Sequence, residues 1–362
     1  MNLDFKNVMH DAARLTRAGD LSAATAAIQS ALAGRSPTHA AANDPSASPW
    51  PAIDVDAREL PQAADEALRP HSPVTREGRF IAGRYANAAS AREYKLYIPP
   101  GAGTSPLPLV VMLHGCTQNP DDFAAGTAMN ELAQAQGFYV LYPAQSRKAN
   151  PQVCWNWFKH SHQQRGRGEP ALLAGMTREV MGQHAIDPRR VYVAGLSAGG
   201  AMAAILAAAY PDLYAAAGVH SGLAAGSAGD LPTALAAMKS GAAAAASATG
   251  VPTIVFHGDA DATVHPTNGE YVIHAAAGTD CLVQTHREPS GSGRSWTRRT
   301  YTDQRDDRVL AEHWVVHGSA HAWSGGRTHG SYTDSRGPDA SAEMIRFFRQ
   351  HPNQKMQGDS RS

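Results

Sequence analysis

The sequence carries no surplus of either charge: Lys plus Arg number 32, and so do Asp plus Glu. That balance argues against a nucleic-acid or anionic-membrane binder, because both draw on an excess of Lys and Arg. It suits a neutral or weakly charged partner. Long apolar runs are also missing. The most apolar stretches are short and rich in Ala rather than Leu or Ile, so no membrane span and no membrane partner are expected. The opening residues, MNLDFKNVMHDAARLTRAGD, mix charges from the start and lack the apolar core of a secretory leader. A cytoplasmic placement is therefore the default expectation. Metal-binding signatures are absent too. His160 and His162 form an H-x-H pair, but no further ligand follows at a recognisable spacing and there is no H-E-x-x-H. No metal and no cofactor are expected.

What is present divides the chain into four segments. Residues 1–35 place Val8, Ala12, Leu15, Leu21, Ala24, Ile28 and Leu32 at helical spacing and predict a small helical segment. Residues 36–77 are rich in Ala, Pro, Ser and Asp and read as a linker. Residues 78–350 alternate short apolar runs with amphipathic stretches, and 351–362 form a polar tail. Within the third segment LVVML, FYVLY, VYVA and TIVFH are continuous apolar runs, the pattern of strands buried on both faces. Helical patterns lie between them. The expected fold class is α/β: a mostly parallel sheet with helices on both faces, plus the N-terminal appendage. In such sheets chemistry gathers at the carboxyl ends of the strands.

One of those ends carries Gly195-Leu196-Ser197-Ala198-Gly199, a G-x-S-x-G between VYVA and an Ala-rich helix. A serine at a sharp strand-to-helix turn is held exposed, and flanking glycines let strand and helix approach without a Cβ. Ser197 is the candidate nucleophile. The acid should follow a later strand, and TIVFH leads into Gly258-Asp259-Ala260-Asp261, giving Asp261 as first choice and Asp259 as rival. Eight histidines follow Asp261. His321, in the small-residue loop GSAHAW, is the candidate base, with His317 as its rival. An oxyanion hole would take the Ala198 N–H at the helix start and a second N–H from the loop after LVVML: Cys116, or alternatively Thr117.

Taken together, LHGCTQNPDDF, GFYVLYPAQ, CWNWF, VYVAGLSAGGAM, HGDADATV and GSAHAWSGG resemble the polyhydroxybutyrate depolymerase-like esterases, which include bacterial feruloyl esterases. The resemblance spans residues 78–350 and implies an α/β-hydrolase fold and a serine carboxylesterase. It implies the triad Ser197, Asp261 and His321, oxyanion donors at Cys116 and Ala198, and a disulfide between Cys116 and Cys154, leaving Cys281 free. Such a bridge, with the family, leaves an extracellular or periplasmic location open beside the cytoplasmic default. Trp155, Trp157 and Trp323 flank the expected site and are candidate substrate contacts. The expected partner is a small or oligomeric ester, either a feruloyl-type aromatic ester or a short hydroxyalkanoate oligomer. The resemblance implies a further substrate-binding domain in depolymerases that attack solid polymer; none is expected after residue 350, so soluble esters or oligomers are the expectation. A peptidase or acyltransferase would use the same triad, and a non-catalytic binding protein would not need it.

Overall fold

A computed structural model of the protein describes residues 77–353, except for 89, 244–249 and 289–292. The helical segment and the linker expected before residue 77 lie outside the described residues.

Ten strands make one sheet. They are β1 (Arg79–Ala86), β2 (Ala91–Ile98), β3 (Leu107–Leu113), β4 (Tyr139–Pro143), β5 (Ile186–Leu196), β6 (Ala216–His220), β7 (Thr253–Gly258), β8 (Cys281–Glu288), β9 (Trp296–Asp303) and β10 (Val309–Val316). Their order is β1-β2-β4-β3-β5-β6-β7-β10-β9-β8. The strands from β4 across to β10 run parallel. β1 and β2 extend one side antiparallel, and β9 and β8 extend the other. A short parallel pair, β11 (Trp323–Ser324) and β12 (Thr333–Asp334), forms a separate ladder.

The helices are α1 (Pro120–Thr127), α2 (Met129–Gln136), α3 (Gly168–Gln183), α4 (Ala198–Ala209), α5 (Leu231–Ser240), α6 (Thr267–Ala277) and α7 (Ala340–Gln350). The pleat of β3 shows how they cover the sheet. Leu109, Val111 and Leu113 pack into one apolar cluster with Leu173 and Met176 of α3 and Met202 and Leu206 of α4. Val110 and Met112 pack into the opposite cluster with Phe123 of α1, Met129 of α2 and Phe347 and Phe348 of α7. Alternate residues of a strand point to opposite faces, so a strand buried on both sides must be apolar throughout. This is the α/β arrangement anticipated from the apolar runs. The first residues of the expected polar tail are part of the fold: His351 is buried, and its ring bonds the carbonyls of Phe347 and Val309.

Candidate active site

The central parallel strands deliver the candidate residues to one end of the sheet. Ser197 stands between the end of β5 and the start of α4 with φ 57° and ψ −118°. A positive φ in a residue with a Cβ costs about 1–3 kcal/mol and persists only where neighbours enforce it. Two bonds do so. Ser197 N–H donates to the His220 carbonyl at 2.9 Å, and the Ser197 carbonyl accepts the Ala201 N–H at 2.9 Å. The flanking glycines allow the turn for a steric reason. A Cβ on Gly199 would overlap the carbonyl oxygens of Leu113 and His114, and one on Gly195 would overlap the backbone of Gly199.

Asp261 follows β7. Its side chain is fully buried. Oδ1 accepts the N–H groups of Thr263 and Val264, both at 2.9 Å, and Oδ2 accepts His321 Nδ1 at 2.7 Å. His257 Nε2 bonds the Val264 carbonyl at 2.9 Å, so it carries a proton, and it lies 3.5 Å from Oδ2. Burial alone would push the Asp261 carboxyl up. Hydrogen bonds from His257 and His321, with the Val264 N–H, outweigh it and hold the group well below the usual carboxylate range. An ionised partner fixes the proton of His321 on Nδ1 and leaves a lone pair on Nε2, the form a general base requires.

The rival residues pair with each other. Asp259 Oδ2 accepts His317 Nδ1 at 2.8 Å, and its Oδ1 accepts the Gly318 N–H. His317 Nε2 meets Thr297 Oγ1 at 2.9 Å. Both ring nitrogens of His317 are therefore occupied, and it has no free lone pair for a serine proton. Ser197 Oγ makes no hydrogen bond among the described residues.

The loop after β3 is held from several sides. His114 Nδ1 donates to the Gly115 carbonyl at 2.7 Å, and its Nε2 accepts the Gln145 N–H at 3.1 Å. Burial pushes this imidazole down to about 4, which keeps it neutral and able to accept. Trp155 Nε1 donates to the His114 carbonyl at 3.1 Å, and a disulfide joins Cys116 to Cys154. Thr117 N–H is taken by the Gln152 carbonyl at 2.8 Å, which removes it as an oxyanion donor. Among the described residues the N–H groups of Cys116 and Ala198 have no acceptor, and Ala198 is the first residue of α4, where helix donors are unpaired by construction of the helix.

This geometry agrees with what the chain is similar to. Residues 92–284, just over half of the chain, match the model of the esterase PHB depolymerase family. The chain belongs to that family. It is 36% identical over 186 residues to poly(3-hydroxyalkanoate) depolymerase C of Paucimonas lemoignei, covering 48% of this chain and 44% of that one. It is 34% identical over 132 residues to feruloyl esterase B of Thermothelomyces thermophilus, covering 36% of this chain and 44% of that one. The matches thus span less than half of either relative. Among solved structures, acetyl xylan esterase from Aspergillus awamori superposes with a TM-score of 0.54 at 18% identity, over 72% of this chain and 94% of that one. That likeness shows the α/β-hydrolase fold.

In this member of the esterase PHB depolymerase family the three tryptophans do not form a substrate wall. Trp155 and Trp157 are buried in the cluster around α3 and α4, and Trp323 is buried against Phe123 and His220. The indole N–H of Trp155 finds the His114 carbonyl, that of Trp323 finds Ser341 Oγ at 3.0 Å, and the Trp157 ring packs edge-on against Phe158. They brace the site from behind. His162 of the H-x-H pair lies in a short 3-10 turn with Nδ1 3.4 Å from the buried carboxylate of Glu169.

His220 was missed by sequence reading. It ends β6, its carbonyl holds Ser197, and its Nε2 accepts the Ser324 N–H at 2.9 Å. It therefore couples the serine turn to the loop bearing His321. Burial pushes it down to about 3, which keeps it a neutral acceptor. Its only sequence signal is a position at the end of a buried strand, beside the serine's own strand.

Proposed function

We propose that this chain hydrolyses carboxylic esters through an acyl intermediate on Ser197. The observation that carries the reading is the buried Asp261–His321 pair, whose tautomer presents Nε2 as the acceptor. In this reading His321 takes the proton of Ser197 as Oγ attacks the ester carbonyl. The N–H groups of Cys116 and Ala198 stabilise the oxyanion that develops. His321 then returns the proton to the departing alcohol and activates the water that releases the acid. Asp261 stabilises the imidazolium at both stages and stays ionised throughout. The names of the relatives, a polyhydroxyalkanoate depolymerase and a feruloyl esterase, support short hydroxyalkanoate oligomers or aromatic acid esters as substrates. The Cys116–Cys154 bridge supports an oxidising compartment. No helix among the described residues is long and apolar enough to cross a membrane.

Turnover of p-nitrophenyl butyrate tests the reading. Ser197→Ala should lower kcat by about 10³-fold or more, and a fluorophosphonate should label the wild type on Ser197 alone. Equal rates in the two proteins would overturn it.

A further inference from the structure

With Trp155, Trp157 and Trp323 buried, one Phe, Tyr or Trp ring among the described residues is exposed: Tyr332, with 47% of its surface open. It lies where the two halves of the site meet. Its carbonyl accepts the N–H of Trp323 at 2.7 Å, two residues beyond His321. Its hydroxyl meets Thr117 Oγ1 at 3.2 Å, one residue beyond the oxyanion donor Cys116. Thr117 Oγ1 itself donates to the Cys116 carbonyl at 2.6 Å, so the tyrosine is the donor of the pair. The phenol thus bridges the histidine loop and the oxyanion loop.

The ring is also held rigidly. Tyr332 has φ 53°, a left-handed conformation that is rare for an aromatic residue and is kept only under constraint. The constraints lie on both sides of it. Ser331 N–H and Oγ donate to the Asp122 carboxylate at 2.8 and 2.6 Å, and Gln118 Nε2 donates to the same carboxylate at 2.9 Å. On the other side Thr333 and Asp334 pair with Trp323 and Ser324. The backbone strain, the double clamp and the tethered hydroxyl hold a half-exposed ring between the histidine loop and the oxyanion loop. Core packing explains none of them, because the ring is not in the core.

We propose that Tyr332 is a specificity-determining residue: a fixed aromatic platform that stacks on a planar aryl group of the ester, so that aryl esters are preferred over purely aliphatic ones. The proposal rests on the esterase reading above. Stacking is made before and during the reaction, so its loss appears in KM more than in kcat. The test compares kcat/KM for methyl ferulate and methyl butyrate in the wild type, Tyr332→Phe and Tyr332→Asn. Asparagine tolerates the left-handed backbone, which keeps the loop in place when the ring is removed. The ferulate-to-butyrate ratio should fall about tenfold in Tyr332→Asn, the scale of one aromatic pair. It should fall less than about threefold in Tyr332→Phe, which keeps the ring and loses the tether. Fluorophosphonate labelling of Ser197 in each variant reports a formed site. A labelled Tyr332→Asn with an unchanged ratio would overturn the platform. If it fails to label, Tyr332→Leu is measured in its place, with the same ratio deciding. A wild type that hydrolyses neither ester would overturn the esterase reading instead.

Discussion

Two Asp–His pairs lie side by side on the same two loops, and they differ in everything except their hydrogen bond. Asp261 and His321 are 2.7 Å apart, and Asp259 and His317 are 2.8 Å apart. The inner carboxylate is fully buried and its histidine 11% exposed, whereas the outer residues are 42% and 40% exposed. Behind the inner pair stand His257 and two backbone N–H groups. Beside the outer pair stand Thr297 and one N–H. Pairing alone therefore does not mark a catalytic dyad. A base needs a ring nitrogen left over, and an acid needs a site where its charge is felt at low dielectric. Only the inner pair has both. The outer pair joins the loop after β7 to the loop after β10, which is a fastening role.

The largest test of this difference is a matched pair of substitutions. Asp261→Asn should cost about 10⁴-fold in kcat, because an amide at this position favours the wrong tautomer of His321. Asp259→Asn removes the charge from an equally short bond in a half-exposed pair, and kcat should fall by less than about tenfold. Steady-state kinetics on one butyrate ester decides. Comparable losses in both variants would mean that the outer pair takes part in the chemistry.

That contrast was only half legible in the sequence. The order serine, acid, histidine and the placement of each candidate after an apolar run pointed to Ser197, to two aspartates and to two histidines. They ranked Asp261 and His321 first, with Asp259 and His317 as rivals, but did not show that the two rivals pair with each other, because all four sit in loops of small residues. The parallel core was legible because strands such as LVVML are apolar at every position. The antiparallel flank was not: β8 and β9 read CLVQTHRE and WTRRTYTD, polar stretches on a part-exposed sheet with no clean alternation. Helix α6 was also missed. It opens with Thr267-Asn268-Gly269 and has no capping side chain. The tryptophans misled for a related reason. Residue type gives no exposure: all three rings are buried, and the indole N–H groups of Trp155 and Trp323 have acceptors inside.

Acid separates the pairs in a second way. Asp259 lies below its usual range: its slight burial would raise it, but the bonds from His317 and Gly318 prevail. Asp261 is held lower still. A depressed carboxylate contributes stability that is fully present above its unfolded value of about 4 and is lost as pH falls through the folded value. The outer pair should therefore protonate first on acidification, which carbon NMR of the two carboxylates would follow. The buried neutral His220 acts at higher pH. Its folded value of about 3 lies below the unfolded value of about 6.5, so the unfolded chain binds a proton that the fold excludes. Stability should then fall from about pH 6.5 downward, by up to about 1.4 kcal/mol per pH unit. Burial lowers His313 to about 3 as well, which adds to the slope. Urea midpoints at pH 7 and pH 5 measure it. Equal midpoints would show that these imidazoles accept protons in the folded state.

The smallest expected effect concerns what occupies the outer histidine. Thr297→Val replaces the hydroxyl by a methyl of similar size in a buried position of β9 and frees His317 Nε2. The change should cost about 1 kcal/mol of stability, one hydrogen bond's worth, read as a lower urea midpoint. It should leave kcat within about twofold. It also makes the outer pair match the inner one in its free nitrogen. If that nitrogen were the only thing the outer pair lacked, Ser197 could recruit His317 when His321 is removed. The double variant Thr297→Val with His321→Ala should nevertheless be as inactive as His321→Ala alone. His317 remains half exposed, its carboxylate partner is solvated, and His220 fixes the serine turn against the loop of His321. Recovered turnover in the double variant would show that proximity along the loop outweighs burial.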